Sequence, residues 1–200
     1  MLIQQLGRQD YVSVWQKMQD FTRQRGGAED DQLWLVEHYP VYTQGQAGKA
    51  EHILNTGNIP VIQIDRGGQI TYHGLGQAVI YPLLSLKAAN IGIRRFVSLV
   101  EETTIALLQD YAVAAHARAD APGVYVADGR KIASLGFKVS RGCSYHGIAI
   151  NVAMDLSPFL GINPCGLSGM KMAQLSEFVP EIDVDSVHKK WAELFSARWR

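Results

Sequence analysis

A thiol between proline and glycine, a lysine inside an apolar run, and a glycine-rich stretch crowded with polar side chains are the parts of this sequence best suited to chemistry. The stretch runs Arg66, Gly67, Gly68, Gln69, Ile70, Thr71, Tyr72, His73, Gly74, Leu75, Gly76, Gln77. Its glycines let backbone turn tightly and approach a ligand closely. Between them, Arg66, Thr71, Tyr72, His73 and Gln77 offer hydrogen bonds. No Gly-Lys-Ser/Thr ends it, so it is not a P-loop, and its spacing is not that of the dinucleotide fingerprint. An ordinary loop between strands accounts for the glycines; the density of polar groups beside an aromatic points to a binding loop.

Lys131 lies in Gly129-Arg130-Lys131-Ile132-Ala133-Ser134-Leu135-Gly136. A lone lysine in a strand usually faces solvent. Held beside a pocket and partly buried, its amine would lose some basicity and become a usable base near neutral pH. Cys165, in Asn163-Pro164-Cys165-Gly166, has turn-forming neighbours. A free cysteine is most often a small buried apolar residue, but a thiol on a rigid turn can be presented to a cleft. Cys143, the second cysteine, falls beside Arg141-Gly142 at an expected hairpin tip, where little would exclude water. His73 and His146 sit in glycine-flanked segments and are candidates to line a site, leaving a Cys–His pair as an alternative to Cys–Lys. His38, His52, His116 and His188 read as structural or solvated. No metal-ligand spacing occurs, so no metal is expected.

These groups need elements to hold them. Asp10 can cap a helix in which Tyr11, Val14, Trp15 and Met18 recur at helical spacing. Leu33–Val36, Val61–Ile64 and Ala78–Tyr81 read as short strands, with a loop over Gln44–Lys49. Phe96–Tyr111 is a helix with Phe96, Val100, Leu107, Leu108 and Tyr111 on one face. Three strands follow, Gly123–Val126, Lys131–Val139 and His146–Val152, with turns at Asp128-Gly129 and Arg141-Gly142. Val184–Trp199 is a closing helix with Val187, Trp191, Leu194 and Phe195 inward. Interspersed helices and hairpin-like neighbours predict an α+β domain with a mixed sheet flanked by helices, not a doubly wound one.

Composition narrows the function. At 200 residues and 47% hydrophobic content the chain supports one core, hence one domain over 1–200. Nineteen basic residues balance nineteen acidic ones, so total charge does not point to nucleic acid. Two cysteines do not make a secreted disulfide framework. No signal-peptide core or membrane-length apolar run is visible, so a soluble cytoplasmic protein with reduced thiols is expected.

Taken together, the segments resemble the lipoyl/octanoyl transferases, also called lipoate-protein ligase B. The resemblance rests on Arg66-Gly67-Gly68, Thr71-Tyr72-His73, Gly76-Gln77, Lys131 with Ala133-Ser134-Leu135-Gly136, His146-Gly147-Ile148-Ala149-Ile150-Asn151-Val152, and Asn163-Pro164-Cys165-Gly166. They follow the family's order from about Glu37 to about Glu177. Leu75 departs from it, standing where the family commonly has proline, which should loosen that loop slightly. The resemblance implies the biotin/lipoate protein ligase fold and transfer of octanoyl from acyl carrier protein to a lysine of lipoyl domains. Those acceptors belong to 2-oxoacid dehydrogenase complexes and to glycine cleavage protein H. It maps the acyl-thioester cysteine onto Cys165 and the activating lysine onto Lys131. Substrate-pocket positions fall on Arg66, Gly67, Gly68, Gln69, Ile70, Thr71, Tyr72, His73, Ser134, Leu135, Gly136, Gly147, Ile148 and Ala149, with His146 and Gln77 as supporting candidates. No cofactor, nucleic acid or membrane is implied.

In that chemistry Cys165 attacks as a thiolate, which an ammonium at Lys131 would stabilise, since an isolated thiol titrates near ~8.5. Acyl carrier proteins are acidic, so a basic patch is expected, with Arg94, Arg95, Lys138, Arg141 and Lys171 as candidates. An ATP-dependent lipoate or biotin ligase of the same fold, a cysteine thioesterase and a non-catalytic acyl-binding module are the alternatives. They differ in whether Cys165, ATP and an acceptor are required.

Overall fold

The computed structural model describes residues 1–25, 31–164 and 169–199. A seven-stranded sheet and a three-stranded sheet hold its strands. In chain order the elements are β1 (Leu2–Gln9), α1 (Tyr11–Gln24), β2 (Gln32–His38), β3 (Val41–Gln44), β4 (Val61–Gln63), β5 (Ile70–His73), β6 (Gln77–Leu83), α2 (Ile93–Asp110), β7 (Ala115–Ala117), β8 (Gly123–Val126), β9 (Lys131–Ser140), β10 (Cys143–Asn151) and α3 (Val184–Arg198). The large sheet runs β1-β2-β6-β10-β9-β8-β7, and the small one β4-β3-β5. Among the described strands β1–β2 and β3–β4 pair in parallel and the rest antiparallel, so both sheets are mixed.

Period-two alternation sorts the central strands between two cores. Leu33, Leu35, Ala78, Ile80, Ile148 and Ile150 join the core that α2 and α3 cover. Trp34, Val36, Val79, Tyr81 and Ala149, one residue out of phase, join the core on the α1 side. The carboxylate of Asp10 caps α1 by accepting from the Ser13 backbone N–H at 2.9 Å, so Tyr11, Val14 and Met18 fall on its buried stripe. On the opposite face Trp191 and Phe195 stack with centroids 4.8 Å apart. Trp191 also donates to Thr104 Oγ1 at 2.9 Å, tying α3 to α2. Truncating either ring should cost about 3–5 kcal/mol.

The helices and the β8-β9-β10 run agree with the sequence expectation, while four strands were not read from it. β1 and β7 are edge strands with mostly exposed residues; β3 is four residues long. β5 lies within the glycine-rich stretch, where the flanking glycines hide its pattern. Cys143 differs from expectation too. It is buried at 6% exposure, because the turn before it folds against the Ser85–Lys87 segment, with Lys87 N–H donating to the Gly142 carbonyl at 3.0 Å.

Candidate active site

A cleft opens where β5 of the small sheet approaches the α1 side of the large sheet. About 560 Å³ of space, partly open to solvent, lies between its walls. One wall is Arg66, Gly68, Gln69, Ile70, Thr71 and His73; the other is Ser134, Leu135, Gly136, His146, Gly147, Ile148 and Ala149; Lys131 reaches in beside Pro164. Gly136 and Gly147 face each other across the β9–β10 pairing. Neither tolerates a side chain. A Cβ on Gly147 would sit 1.8 Å from the Ile80 carbonyl oxygen, and one on Gly136 would sit 2.9 Å from Arg66 Cδ. The bare Gly136 lets the Arg66–Gly67 segment close over the sheet, and the bare Gly147 lets β10 pack close against β6.

Of the substrate-pocket positions named from the sequence, all line this cleft except Gly67 and Tyr72. Gly67 lines an adjoining groove. Tyr72 turns away, packing edge-on against Phe159 at 5.5 Å, as strand alternation requires between Thr71 and His73. Gln77 lies behind the wall, accepting from His73 Nδ1 at 2.8 Å and donating to Asn151 Oδ1 at 3.0 Å. Cys165 lies outside the described residues; Pro164, its chain neighbour, lines the cleft.

Lys131 is 1% exposed, although it is the first residue of a strand. Its Nζ donates to the Pro122 carbonyl at 2.9 Å and stands 5.4 Å from the Tyr125 ring centroid. The Pro122–Gly123 peptide that accepts this bond is held from its other side, since Gly123 N–H donates to Glu101 Oε1 at 3.1 Å. Burial raises the Glu101 carboxyl pKa, opposed by the Gly123 hydrogen bond and by the Lys131 charge. Gly123 has φ +150, and its missing side chain leaves room for the lysine stem. On the far side, Lys131 N–H donates to the Lys171 carbonyl and Ala173 N–H donates to the Lys131 carbonyl, each at 2.9 Å.

The glycine-rich wall is fixed by a chain of buried polar groups. Arg66 donates to the Thr43 carbonyl at 2.6 Å and to Thr43 Oγ1 at 3.0 Å. The Thr43 hydroxyl reaches His73 Nε2 at 3.3 Å, and His73 hands the chain on to Gln77 and Asn151. Burial, then the nearby His38, pull the His73 pKa down to about 3, so near neutral pH its ring is an uncharged donor and acceptor. Gly76 has φ +84, donates to Glu37 Oε2 at 2.8 Å and accepts from Val152 and Ala153 at 3.1 and 3.0 Å. These bonds restrain the loop at the point where Leu75 was expected to loosen it.

Several neighbours of the cleft carried no readable signal. Tyr11 stacks on His73, with centroids 5.5 Å apart. Tyr81 pairs with His38 Nε2 at 2.7 Å, placing a histidine read as structural directly behind the cleft. Asp65 gathers Trp15 Nε1 at 2.9 Å, His146 Nε2 at 2.8 Å and the Tyr145 hydroxyl on one carboxylate. Burial alone would raise the Asp65 pKa, but the His146 and Tyr145 hydrogen bonds hold it well below the usual carboxylate range. His146 has φ +59 inside a strand, a conformation uncommon for a non-glycine residue. Its companion Asp65 precedes the glycine-rich stretch by one residue, so only folding shows the pair.

The expected basic residues separate. Lys138 reaches Gln46 Oε1 at 3.4 Å and does not line the cleft, while the Lys171 carbonyl accepts from Lys131 N–H. Arg94 and Arg95 open α2, where Arg95 pairs with Glu102 at 2.7 Å. Arg141 instead donates to the Arg23 carbonyl. No group of residues arranged to hold a metal occurs among the described residues, and no helix among them is long and apolar enough to cross a membrane.

Known proteins resemble this chain at both levels. It is 52% identical over 200 residues to an octanoyltransferase of Legionella pneumophila strain Lens, covering 100% of each chain. It is 56% identical over 192 residues to one from Escherichia coli O139:H28, covering 96% of this chain and 90% of the relative. In structure, lipoate-protein ligase A bound with ATP matches with a TM-score of 0.82 at 16% identity, over 98% of this chain and 84% of that one. A biotin protein ligase from Aquifex aeolicus matches with a TM-score of 0.58 at 11% identity, over 100% and 69%. These distant likenesses establish the fold alone. The family model for the lipoyl protein ligase A/B catalytic domain matches residues 10–196, and the chain belongs to that family.

Proposed function

We propose that this enzyme transfers an octanoyl group from acyl carrier protein to a lysine of lipoyl domains, through a thioester on Cys165. Its acceptors are the lipoyl domains of 2-oxoacid dehydrogenase complexes and glycine cleavage protein H, its setting is the cytoplasm, and residues 1–200 act as one catalytic domain. That the chain is an octanoyl-transferring enzyme of protein lipoylation rests on relatives named octanoyltransferase at more than half identity over nearly the whole chain. The observation that carries the residue assignment is Lys131, a buried lysine whose ammonium stem enters the cleft.

In the first step the Cys165 thiolate attacks the carbonyl carbon of the octanoyl thioester. A new S–C bond forms, the bond to the carrier sulfur breaks, and the departing thiolate takes a proton from the Lys131 ammonium. In the second, the substrate lysine amine attacks the acyl-enzyme, an amide forms, Cys165 leaves as thiolate, and Lys131 accepts the amine proton. Exchanging one thioester for another is near balance, and thioester to amide runs downhill, so no nucleotide is consumed. The apolar walls favour the tail by about 0.8 kcal/mol per buried methylene, roughly 4–5 kcal/mol for octanoyl.

Intact mass spectrometry after incubation with octanoyl-acyl carrier protein alone tests this. An octanoyl adduct on the Cys165 peptide, discharged by a lipoyl domain, is expected. Cys165→Ser should abolish transfer and Lys131→Ala should remove most of it, with circular dichroism unchanged. Activity that survives Cys165→Ser and requires ATP would overturn the reading in favour of an adenylating ligase.

A further inference from the structure

The cleft does not end at its own walls. Gly68, Gln69, Leu135 and Gly136 separate it from an adjoining groove and line both. That groove is floored by Val97, Pro122 and Phe137 and edged by Ile93, which is 42% exposed. Lys131 links the two spaces by a hydrogen bond. The lysine enters the first, and its hydrogen-bond partner Pro122 lines the second, 2.9 Å from Nζ. Resting on the function proposed above, we infer that the groove seats the thiol-terminated prosthetic arm of the acyl carrier, while the first cleft holds the acyl chain.

A thioester has two sides. With its carbonyl beside Lys131, the acyl chain must leave one way and the sulfur-bearing arm the other. The first cleft is walled by buried residues such as Arg66, Ile70, His73 and Ala149, which suits a tail to be kept from water. The groove is the more open of the two, as an arm still attached to its carrier requires. An arm of this kind is slender, carries amides and ends in a phosphodiester. The groove matches each property. Its floor is apolar. Gln69, on the shared wall, has a side-chain oxygen that is buried without a hydrogen-bond partner, an acceptor for an amide N–H after rotation. Arg94 is exposed on the first turn of α2 next to Ile93, so a cation stands near the edge of the groove where the phosphodiester would emerge. Among the described lining residues the one acidic side chain, Asp120, is already paired with Arg118 at 2.6 Å.

Two substitutions block the groove without touching the first cleft. Val97→Trp fills its floor, and Ile93→Glu places an anion at its edge, on the first turn of α2 where acidic residues are well tolerated. For either variant, the KM for octanoyl-acyl carrier protein should rise at least tenfold. Acylation by the octanoyl thioester of N-acetylcysteamine, which lacks nearly all of the arm, should stay within twofold of wild type. Discharge of preformed acyl-enzyme to a lipoyl domain should also be unchanged. An unchanged KM for the carrier overturns the inference, as does equal slowing with the short thioester. Slowed discharge would assign the groove to the acceptor, and altered chain-length preference would assign it to the tail; either result also overturns it. Wild-type enzyme that is acylated by neither donor would instead reject the function on which the inference rests.

Discussion

Gly123→Ala should disable Lys131 without altering it. A Cβ built on Gly123 lies 2.3 Å from Lys131 Cε, 2.8 Å from Nζ and 2.9 Å from the Ala133 carbonyl oxygen. The carbonyl is held in the sheet, so the lysine stem must give way, and restoring ordinary contact moves Cε by about 1 Å. That displacement breaks the 2.9 Å bond from Nζ to Pro122, a charge-assisted bond worth about 1.5–3 kcal/mol. A misplacement of about 1 Å in a catalytic group lowers rates by roughly 10²-fold, which is the loss expected in acyl-enzyme formation. The variant also carries backbone strain from φ +150, about 1–3 kcal/mol, or roughly 2–4 °C in Tm per kcal/mol for a domain of this size. Gly57→Ala separates the two effects, because Gly57 has φ +55 with nothing within 4 Å of its Cβ. The control should lose stability and keep its rate. The assay is quenched-flow acylation followed by intact mass, with thermal unfolding alongside. A Gly123→Ala enzyme that acylates within twofold of wild type would refute both the lysine's role and the packing that supports it.

Acid should weaken the fold before it protonates most carboxylates. Burial lowers the pKa of His38 to about 4, of His73 to about 3 and of His188 to about 4. Each folded value lies below the unfolded one, so the stability from keeping each ring neutral is complete above about pH 6.5. It is lost as pH falls toward 3–4, by about 2 kcal/mol per histidine between pH 7 and 5; urea midpoints that are flat over that range would reject this. Asp65 behaves as a depressed carboxylate, so Asp65→Asn should destabilise the protein by about 1–3 kcal/mol at pH 7, the gap to wild type closing as pH falls below about 4 and toward the depressed folded value. A gap independent of pH would show that its charge is immaterial. Cys143→Ser should keep near-normal transfer, since Cys143 lines neither the cleft nor the adjoining groove; strong loss of acylation would exchange the roles of the two cysteines.

Local signals account for what could be read in advance. Each of the helices α1, α2 and α3 carries its own apolar stripe, and the first begins at an Asp cap, so no distant residue is needed to recognise them. The β8-β9-β10 run was legible because its turns carry glycine at positive φ, Gly129 at +85 and Gly142 at +78, which marks the reversals in the chain itself. β5 was not legible, because its four residues acquire strand geometry only by pairing with β3.

The site divides the same way. Residue types and order by themselves determined the α+β class, the family resemblance, and Lys131 with Arg66–His73, Ser134–Gly136 and Gly147–Ala149 as the segments to watch. Tertiary structure alone decided that Lys131 is buried and bonded to Pro122, that Tyr72 turns out of the cleft while its neighbours line it, that Asp65 holds His146, and that a second groove shares a wall with the first. The reason is physical. Propensity and periodicity act over a few residues, whereas burial, a hydrogen-bond partner 81 positions away and a cavity between two sheets exist only once distant strands are brought into register.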